Sequence, residues 1–317
     1  MNNQNIINII KINPQLVVFV GFFIYAFSLG AMFPRLDDIQ TSLAIDKAEL
    51  GLLLLCIPLG LQVTLVFADR LVRAIPLKNI ICTGIPSICF MQFAAVAINQ
   101  ISFVAFFLIV CGAFVAVVEV AINLEADRVE HALGSRIMNR SHAFWSIGFF
   151  SAAVVGAFFS QFKVMLEIHF LLICVISFVT SKIIFKDYVA ASPRHANIAK
   201  IKKFSLPTGP IFVMVLFTMA AMLVEGASID WSVIFMREIH YASPFLSGFS
   251  LAMAAFSQAL IRFFGDNLLN KFGPTFISIA SLFFMSLGVI LVILSSSSIL
   301  AILGFLFMGA GSAVIFP

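Results

Sequence analysis

Ten long apolar stretches limit the structures that this chain can adopt. Each is long enough to cross a hydrocarbon core of roughly 30 Å as an α-helix, which satisfies its own backbone hydrogen bonds where lipid cannot. Charged residues make up 11% of the 317 residues, against roughly 25% in soluble domains. We therefore expect an all-α protein that crosses a membrane repeatedly. The stretches lie at about residues 16–33, 50–67, 79–97, 102–123, 142–160, 166–184, 210–228, 246–263, 275–294 and 299–316.

Two parts of the chain repeat each other at a fixed offset of 197 residues, without a gap. The offset relates the second stretch to the eighth and the fourth to the tenth, so the two copies run in the same direction. Such a repeat is typical of transporters built as two similar halves around a central path. The first copy contains Gly51, Phe67, Asp69, Leu71, Gly112, Ala113 and Ala116, and the second contains Gly248, Phe264, Asp266, Leu268, Gly309, Ala310 and Ala313.

The repeat divides the chain into three parts. We expect an N-terminal six-helix bundle (1–185), a basic cytoplasmic linker (186–208) and a partial C-terminal bundle (209–317) that holds the seventh to tenth spans. A cytoplasmic N-terminus leaves four of the 19 Lys and Arg residues on the other side, which favours that orientation in an inner or plasma membrane. A second half as long as the first would continue past Pro317. A shortened chain, a truncated reading frame and a fragment are the alternatives that the sequence leaves open.

The sequence carries none of the patterns expected of an enzyme. It has no ligand-spaced His or Cys pair, no phosphate-binding glycine loop and no Ser-His-Asp grouping, so we expect no cofactor and no metal site. The net charge of +4 reflects membrane orientation and gives no indication of nucleic acid. The expected partners are the lipid bilayer, a small-molecule substrate and protons. The oligomeric state is not fixed by the sequence, and a monomer is the default expectation.

Six segments carry a family resemblance: residues 68–73, 118–123, 141–145, 225–231, 265–268 and 309–311. Together they resemble the major facilitator superfamily. The resemblance implies a helical bundle with a six-helix N-terminal half and four helices of the C-terminal half. Within the superfamily the chain is similar to the fucose-permease-like branch, whose members are often sugar transporters coupled to protons.

Glu119 interrupts the fourth apolar stretch. A charged side chain at this depth costs roughly 2.5–3.5 kcal/mol or more, so such residues usually face the bundle interior or a water-filled path. Asn123 lies one turn further on the same helix face, and His142 can change its charge near neutral pH and complete a relay. The resemblance implies that an acid in this helix takes part in proton coupling, and Glu119 is the matching residue. The alternatives are a Glu119 that reaches water at the helix end and an interfacial anchor pair of His142 and Trp145.

Glu225 lies deep in the seventh apolar stretch and is followed by small residues. Nearer the outer surface, Asp230 fits an acid of the outer gate and Trp231 fits a stacking platform for a sugar ring. The alternatives are a helix–helix hydrogen bond for Glu225 and an interfacial anchor for Trp231. Trp145 and Trp231, together with a few uncharged polar residues, favour a sugar or another small neutral solute. No buried arginine that would clamp an anion is evident.

Four charged residues at cytoplasmic helix ends are candidates for gating: Asp69, Arg70, Arg73 and Asp266. In the superfamily an acid at the position of Asp69 contacts the start of the eleventh helix and stabilises the outward-facing form. This sequence does not contain a counterpart of that helix. Arg262 precedes Asp266 by one turn, so we expect the two to pair. A solvated loop cluster is the alternative for the first three.

These observations predict a secondary active transporter that moves a small solute by alternating access, coupled to protons. One alternative is a ten-helix carrier of the drug/metabolite type, built as five plus five helices. That architecture predicts an inverted duplication near the middle of the chain. The other alternative is a membrane sensor that does not transport.

Overall fold

The computed structural model describes residues 13–192 and 208–315, and it is all-α over them, as predicted. Within these residues nine segments are long and apolar enough to cross a membrane, and the tenth predicted span is a shorter apolar helix. Most of the predicted linker lies outside the described residues. A 3₁₀ turn at Phe33–Arg35 joins α1 to α2. The helices are α1 Pro14–Gly30, α2 Leu36–Leu43, α3 Lys47–Ala74, α4 Leu77–Ile98, α5 Ile101–Leu133, α6 Met138–Gln161, α7 Leu166–Phe185, α8 Gly209–Glu238, α9 Pro244–Phe263, α10 Gly265–Ile293 and α11 Ser298–Ser312.

Helix starts recur at the offset seen in the sequence. Asp46 and Ser243, which are 197 positions apart, cap α3 and α9, and each accepts a hydrogen bond from the backbone N–H three residues further on. Short polar side chains are favoured there because the first turn of a helix has free N–H groups. The next matched pair, α5 and α11, begins at Ile101 and Ser298. The sequence repeat is therefore also a repeat of helix starts in the structure.

Two glycines make the same helix–helix contact in the two copies. A Cβ atom on Gly112 of α5 would lie 2.1 Å from the carbonyl oxygen of Ile57 on α3. A Cβ atom on Gly309 of α11 would lie 2.1 Å from the carbonyl oxygen of Ala254 on α9. Because a side chain is excluded at both positions, glycine allows the two backbones to approach closely, as small residues do between membrane helices.

The two halves meet mainly along α6 and α9. In the N-terminal half α1 packs against α5, α6 and α7, and in the other half α9 packs against α8 and α11. At the α6–α9 contact Gly248 lies so close to Ala157 that a Cβ on the glycine would be 2.6 Å from the alanine methyl group. This packing places α1, α5 and α6 opposite α8 and α9, and the polar side chains of the site project from these five helices.

Two ion pairs join the halves at the end that the sequence predicts to be outside. Arg237, in the last turn of α8, donates Nε to Asp37 of α2 at 2.9 Å. Glu238 pairs with Lys47 at the start of α3. All four side chains are partly exposed or exposed. Because exposed ion pairs contribute little stability, the main effect of these two is to determine which helix ends meet.

Candidate solute and proton site

A chain of hydrogen bonds joins three helices of the N-terminal half. Tyr25 on α1 donates its hydroxyl to Glu119 Oε2 at 2.6 Å, and Asn123 donates Nδ2 to Glu119 Oε1 at 3.1 Å. On α6, His142 Nε2 lies 3.2 Å from Asn123 Oδ1. Because an amide oxygen only accepts, this arrangement places a proton on Nε2. Glu119, Asn123 and His142 thus lie in contact, while their role in proton binding stays a prediction.

A second polar cluster lies on the C-terminal half. Arg262 on α9 is 4% exposed and donates Nε to the Ala313 carbonyl at 3.0 Å and Nη1 to Ser146 Oγ at 2.7 Å. Gln258, one turn earlier, donates Nε2 to Glu225 Oε1 at 2.7 Å. The same carboxylate oxygen stands 4.0 Å from Arg262 Nη2. Since Ser146 belongs to α6, this cluster also ties the two halves together.

A cavity of about 330 Å³ lies between the halves, within the size range of small-molecule sites. Its polar lining comes from His142 and Trp145 on α6, Glu225 on α8 and Arg262 on α9. The indole of Trp145 stacks on Phe149, with ring centroids 5.4 Å apart, which holds it at the wall. His142 belongs to both the cavity and the hydrogen-bond chain. His142 and Trp145 thus line the cavity, while their roles in binding stay predictions.

Arg262 lies elsewhere than the sequence predicts. The expected pair with Asp266 does not form, because α9 ends at Phe263 and Asp266 belongs to α10. The two residues are therefore not one turn apart on a common helix. Arg262 is instead a buried guanidinium on the cavity wall, so the expectation that the site has no buried arginine was wrong. A basic residue inside an apolar span is the signal that could have identified it.

Asp230 and Trp231 do not line the cavity. They follow Glu225 by five and six residues, which turns them about 140° and 120° away from it around an α-helix. Trp231 is 37% exposed and lies against α3, where a Cβ on Gly51 would be 3.6 Å from the indole. Asp230 is half-buried and, within the described residues, makes no hydrogen bond or ion pair. Neither residue is part of the cavity wall. The predicted roles, an outer-gate acid for Asp230 and a stacking platform for Trp231, stay predictions.

The four candidate gating residues do not come together. Asp69 pairs with Arg73 of its own helix at 2.9 Å, with both side chains more than 70% exposed, and Arg70 is exposed. Asp266 instead reaches the other half, where its Oδ1 accepts a hydrogen bond from Asn139 Nδ2 at 2.6 Å. Asp266 alone of the four makes a contact between the halves that the structure describes. A gating role for this set stays a prediction.

Two further residues of the site were not found from the sequence. Tyr25 is 1% exposed and is the one tyrosine inside the predicted apolar stretches. Gln258 is 5% exposed and contacts Glu225, Ser146 and Ser312. Polar side chains inside apolar spans mark both of them, by the reasoning that identified Glu119.

Fold and site together define an integral multi-pass membrane protein with two helical bundles around a polar cavity. The Major Facilitator Superfamily profile matches residues 18–317, and the chain belongs to this family. An MFS-type transporter of Yersinia pestis is 26% identical over 312 residues, covering 96% of this chain and 79% of that protein. The family assignment and the same-direction repeat contradict the alternative of a carrier built as five plus five helices.

Two solved transporter structures share the fold. The nucleoside transporter NupG superposes with a TM-score of 0.67 at 15% identity, over 96% of this chain and 80% of that one. A D-xylose-proton symporter superposes with a TM-score of 0.71 at 12% identity, over 95% of this chain and 79% of that one. At these identities the likeness concerns the fold alone.

Proposed function

We propose that this protein is a secondary active transporter that carries a small polar solute by alternating access, driven by protons. The observation that carries the proposal is the cavity between the halves, which is lined by polar groups from both and connected through His142 to a membrane-embedded carboxyl. Alternating access requires a site that both halves form, so that rocking of the halves exposes it to one side at a time. Coupling requires that solute and proton bind differently in the two states.

Glu119 is the proposed proton-binding residue. Its two carboxyl oxygens accept hydrogen bonds from Tyr25 on α1 and Asn123 on α5. Asn123 in turn contacts His142 on α6, so side chains from three helices hold Glu119 in position. His142 reaches the cavity and contacts Asn123, so the hydrogen-bond chain that begins at Glu119 extends to the cavity wall. Glu225, on the opposite wall, is the second carboxyl available to a proton.

The proposed solute is small, polar and uncharged, with a sugar as the first candidate. The face of Trp145 offers a stacking surface for a ring, while Glu225 and Arg262 on the cavity wall offer hydrogen bonds to hydroxyl groups. The names of the two structural neighbours, a nucleoside transporter and a D-xylose-proton symporter, are compatible with this choice. Membership of the fucose-permease-like branch belongs to the same proposal.

The proposed topology has the N-terminus in the cytoplasm, with bundles at 1–185 and 209–317 joined by the linker at 186–208. In this orientation the Asp266–Asn139 contact lies at the cytoplasmic end and the Arg237–Asp37 pair at the outer end. Release of one end while the other holds would expose the cavity to alternate sides. Asp69, Arg70 and Arg73 lie at the cytoplasmic end, where the proposed gate opens.

The test is uptake of labelled neutral sugars into proteoliposomes with and without an inward proton gradient. We expect gradient-stimulated uptake by the wild type. Glu119→Gln should lower the stimulation by the gradient to about onefold while solute exchange across the membrane continues. Glu125→Gln is the matched control, because Glu125 is a buried glutamate on the same helix that lies outside the site.

Each outcome has a separate meaning. Gradient-dependent uptake that survives in Glu119→Gln would leave a transporter but remove Glu119 as the proton-binding residue. Absence of both uptake and exchange for the whole sugar panel, with a folded wild-type protein, would refute the neutral-sugar proposal and favour the non-transporting sensor.

A further inference from the structure

A narrow branch leads off the cavity between the halves. Trp145, Glu225 and Ile229 line both the cavity and the branch, so the two spaces are continuous. Beyond this mouth the walls of the branch come mainly from α9 and α11. Its volume is about 20 Å³, which is room for one group of the size of a water molecule. A solute in the cavity can therefore extend one small substituent into the branch.

Close helix packing limits the width of the branch. Gly309 of α11 and Ala254 of α9 both line it, and a Cβ atom on Gly309 would lie 2.1 Å from the Ala254 carbonyl oxygen. The two backbones are thus in contact at this wall, with no flexible side chain between them that could move aside. A substituent much larger than a hydroxyl or methyl group would require α9 and α11 to separate. The branch therefore selects by size.

Ser228 of α8 lines the branch and has no hydrogen-bond partner among the described residues. Its side chain is 4% exposed and its Oγ atom is buried. The amide, the carboxyl group and the other serine of the branch are paired, because Gln258 Nε2 donates to Glu225 Oε1 and to Ser312 Oγ. Gln258 Oε1 in turn accepts from Ser146. Since an unpaired buried hydroxyl is unfavourable, a group that bonds to Ser228 would be bound preferentially.

A hydroxyl group meets both requirements of the branch. It is small enough, and it can donate to Ser228 Oγ or accept from it. A methyl group has a suitable size but leaves the Ser228 hydroxyl unpaired. A charged group would lose its hydration among walls that are mostly apolar, which is costly without a partner charge. The apolar walls include Phe149, Leu251 and Met308.

We propose that Ser228 is a specificity-determining residue, which binds the hydroxyl of a hydroxymethyl arm on the ring of a neutral solute. The inference rests on the proposed function, because the ring would stack on Trp145 at the mouth of the branch while its arm enters. It narrows the neutral solute to sugars that carry a hydroxymethyl substituent. Rings without the arm bind more weakly, and rings with a longer arm are excluded by size.

Binding is measured by the change in intrinsic tryptophan fluorescence of the purified protein in lipid nanodiscs. Trp145 lies at the mouth of the branch and is one of only two tryptophans in the chain, so a sugar that stacks there should change the signal. The probes are glucose and galactose, each compared with its 6-deoxy counterpart, and xylose, which has no arm. In the wild type we expect at least one hydroxymethyl sugar to bind about tenfold more tightly than its 6-deoxy counterpart.

Variants of Ser228 separate hydrogen bonding from space. Ser228→Ala should reduce the preference to about onefold, since alanine offers the arm no partner. Ser228→Leu fills the branch, so it should lose the hydroxymethyl sugar and still bind xylose. Ser232→Ala is the matched control and should keep the wild-type preference. Ser232 lies one turn further along α8, is fully buried and also has no partner for its Oγ among the described residues, but it lines neither the branch nor the cavity.

An equal fall in affinity for both members of a sugar pair in Ser228→Ala would overturn the inference, and so would loss of the preference in Ser232→Ala. If Ser228→Leu does not fold, the Ser228→Ala comparison decides alone. Binding of no sugar by the folded wild type would overturn the inference together with the neutral-sugar part of the proposed function. Sugar binding without a preference for the arm removes this inference alone. A preference that persists without proton-driven uptake removes the proposed transport alone.

Discussion

Alanine at Gly112 or Gly309 should force apart the helix pair that each glycine joins. In either copy the new Cβ would lie 2.1 Å from a carbonyl oxygen of the facing helix, and real Cβ atoms essentially never approach closer than 3.0 Å. The obstacle is backbone and not the end of a flexible side chain. Relief therefore requires α5 to move from α3, or α11 from α9, by about 0.9 Å.

The cost follows from that displacement. A gap of about 0.5–1 Å removes a quarter to a half of the dispersion attraction between facing atoms, and overpacking typically costs about 1–3 kcal/mol. Alanine recovers up to about 1 kcal/mol of helix propensity. A net loss of about 1–2 kcal/mol corresponds to a fall of roughly 2–8 °C in unfolding temperature for a domain of about 150–250 residues.

The assay is the apparent unfolding temperature of the detergent-solubilised protein, measured by loss of the monodisperse peak after heating. Gly226→Ala is the matched control, because this glycine also lies within a long helix but a Cβ there would meet nothing within 4 Å. It should be unchanged or slightly more stable. An equal fall in Gly226→Ala, or no fall in Gly112→Ala and Gly309→Ala, would refute the close-approach explanation of the repeat.

Three further predictions concern other contacts. Asp37→Arg should lower the apparent unfolding temperature through repulsion with Arg237, and adding Arg237→Asp should restore most of it, although a partly exposed pair contributes only about 0.2–1 kcal/mol. Trp145→Ala should raise the KM of uptake by up to roughly tenfold through loss of ring stacking, while Trp145→Phe should keep most of the affinity. Burial and the hydrogen bond to Glu125 raise the pKa of the Tyr188 hydroxyl above its ordinary value of 10. The protonated hydroxyl therefore stabilises the folded protein fully below pH 10, and this stabilisation is lost as pH rises through the raised pKa. Tyr188→Phe should therefore unfold at a lower temperature than wild type at pH 7, with a smaller difference above about pH 10; a constant difference across that range would contradict the assignment.

Those parts of the fold and site that depend on a single helix could be predicted from local sequence patterns. The apolar stretches matched the helices because spanning length and hydrophobicity act along a single segment. Glu119 and Asn123 were placed together because four residues make about one turn. The repeat was readable because each copy keeps the same helix starts and the same glycine contacts.

Positions that depend on helix boundaries or helix rotation were harder to predict. Arg262 and Asp266 are four residues apart, but the helix break after Phe263 removes the contact that this spacing would give on one helix. Trp231 is near Glu225 along the axis and yet faces α3, since six residues do not complete two turns. The side of α8 on which Trp231 lies could have been predicted from its spacing to Glu225. The helix break before α10 could be seen only in the structure.

The two copies of the repeat share their helix-packing contacts but not their polar side chains. At the 197-residue offset, Gln258 and Arg262 of α9 correspond to Leu61 and Leu65 of α3. The two helices share their capping position and their contact with a glycine of the next matched helix, yet one presents an amide and a guanidinium where the other presents two leucines. The close glycine contacts are needed in both halves, because each half must assemble its own bundle in lipid. The guanidinium of Arg262 lies on one copy alone, so the two halves contribute different groups: a hydrogen-bonded acid, Glu119, on the N-terminal half and a buried guanidinium on the C-terminal half.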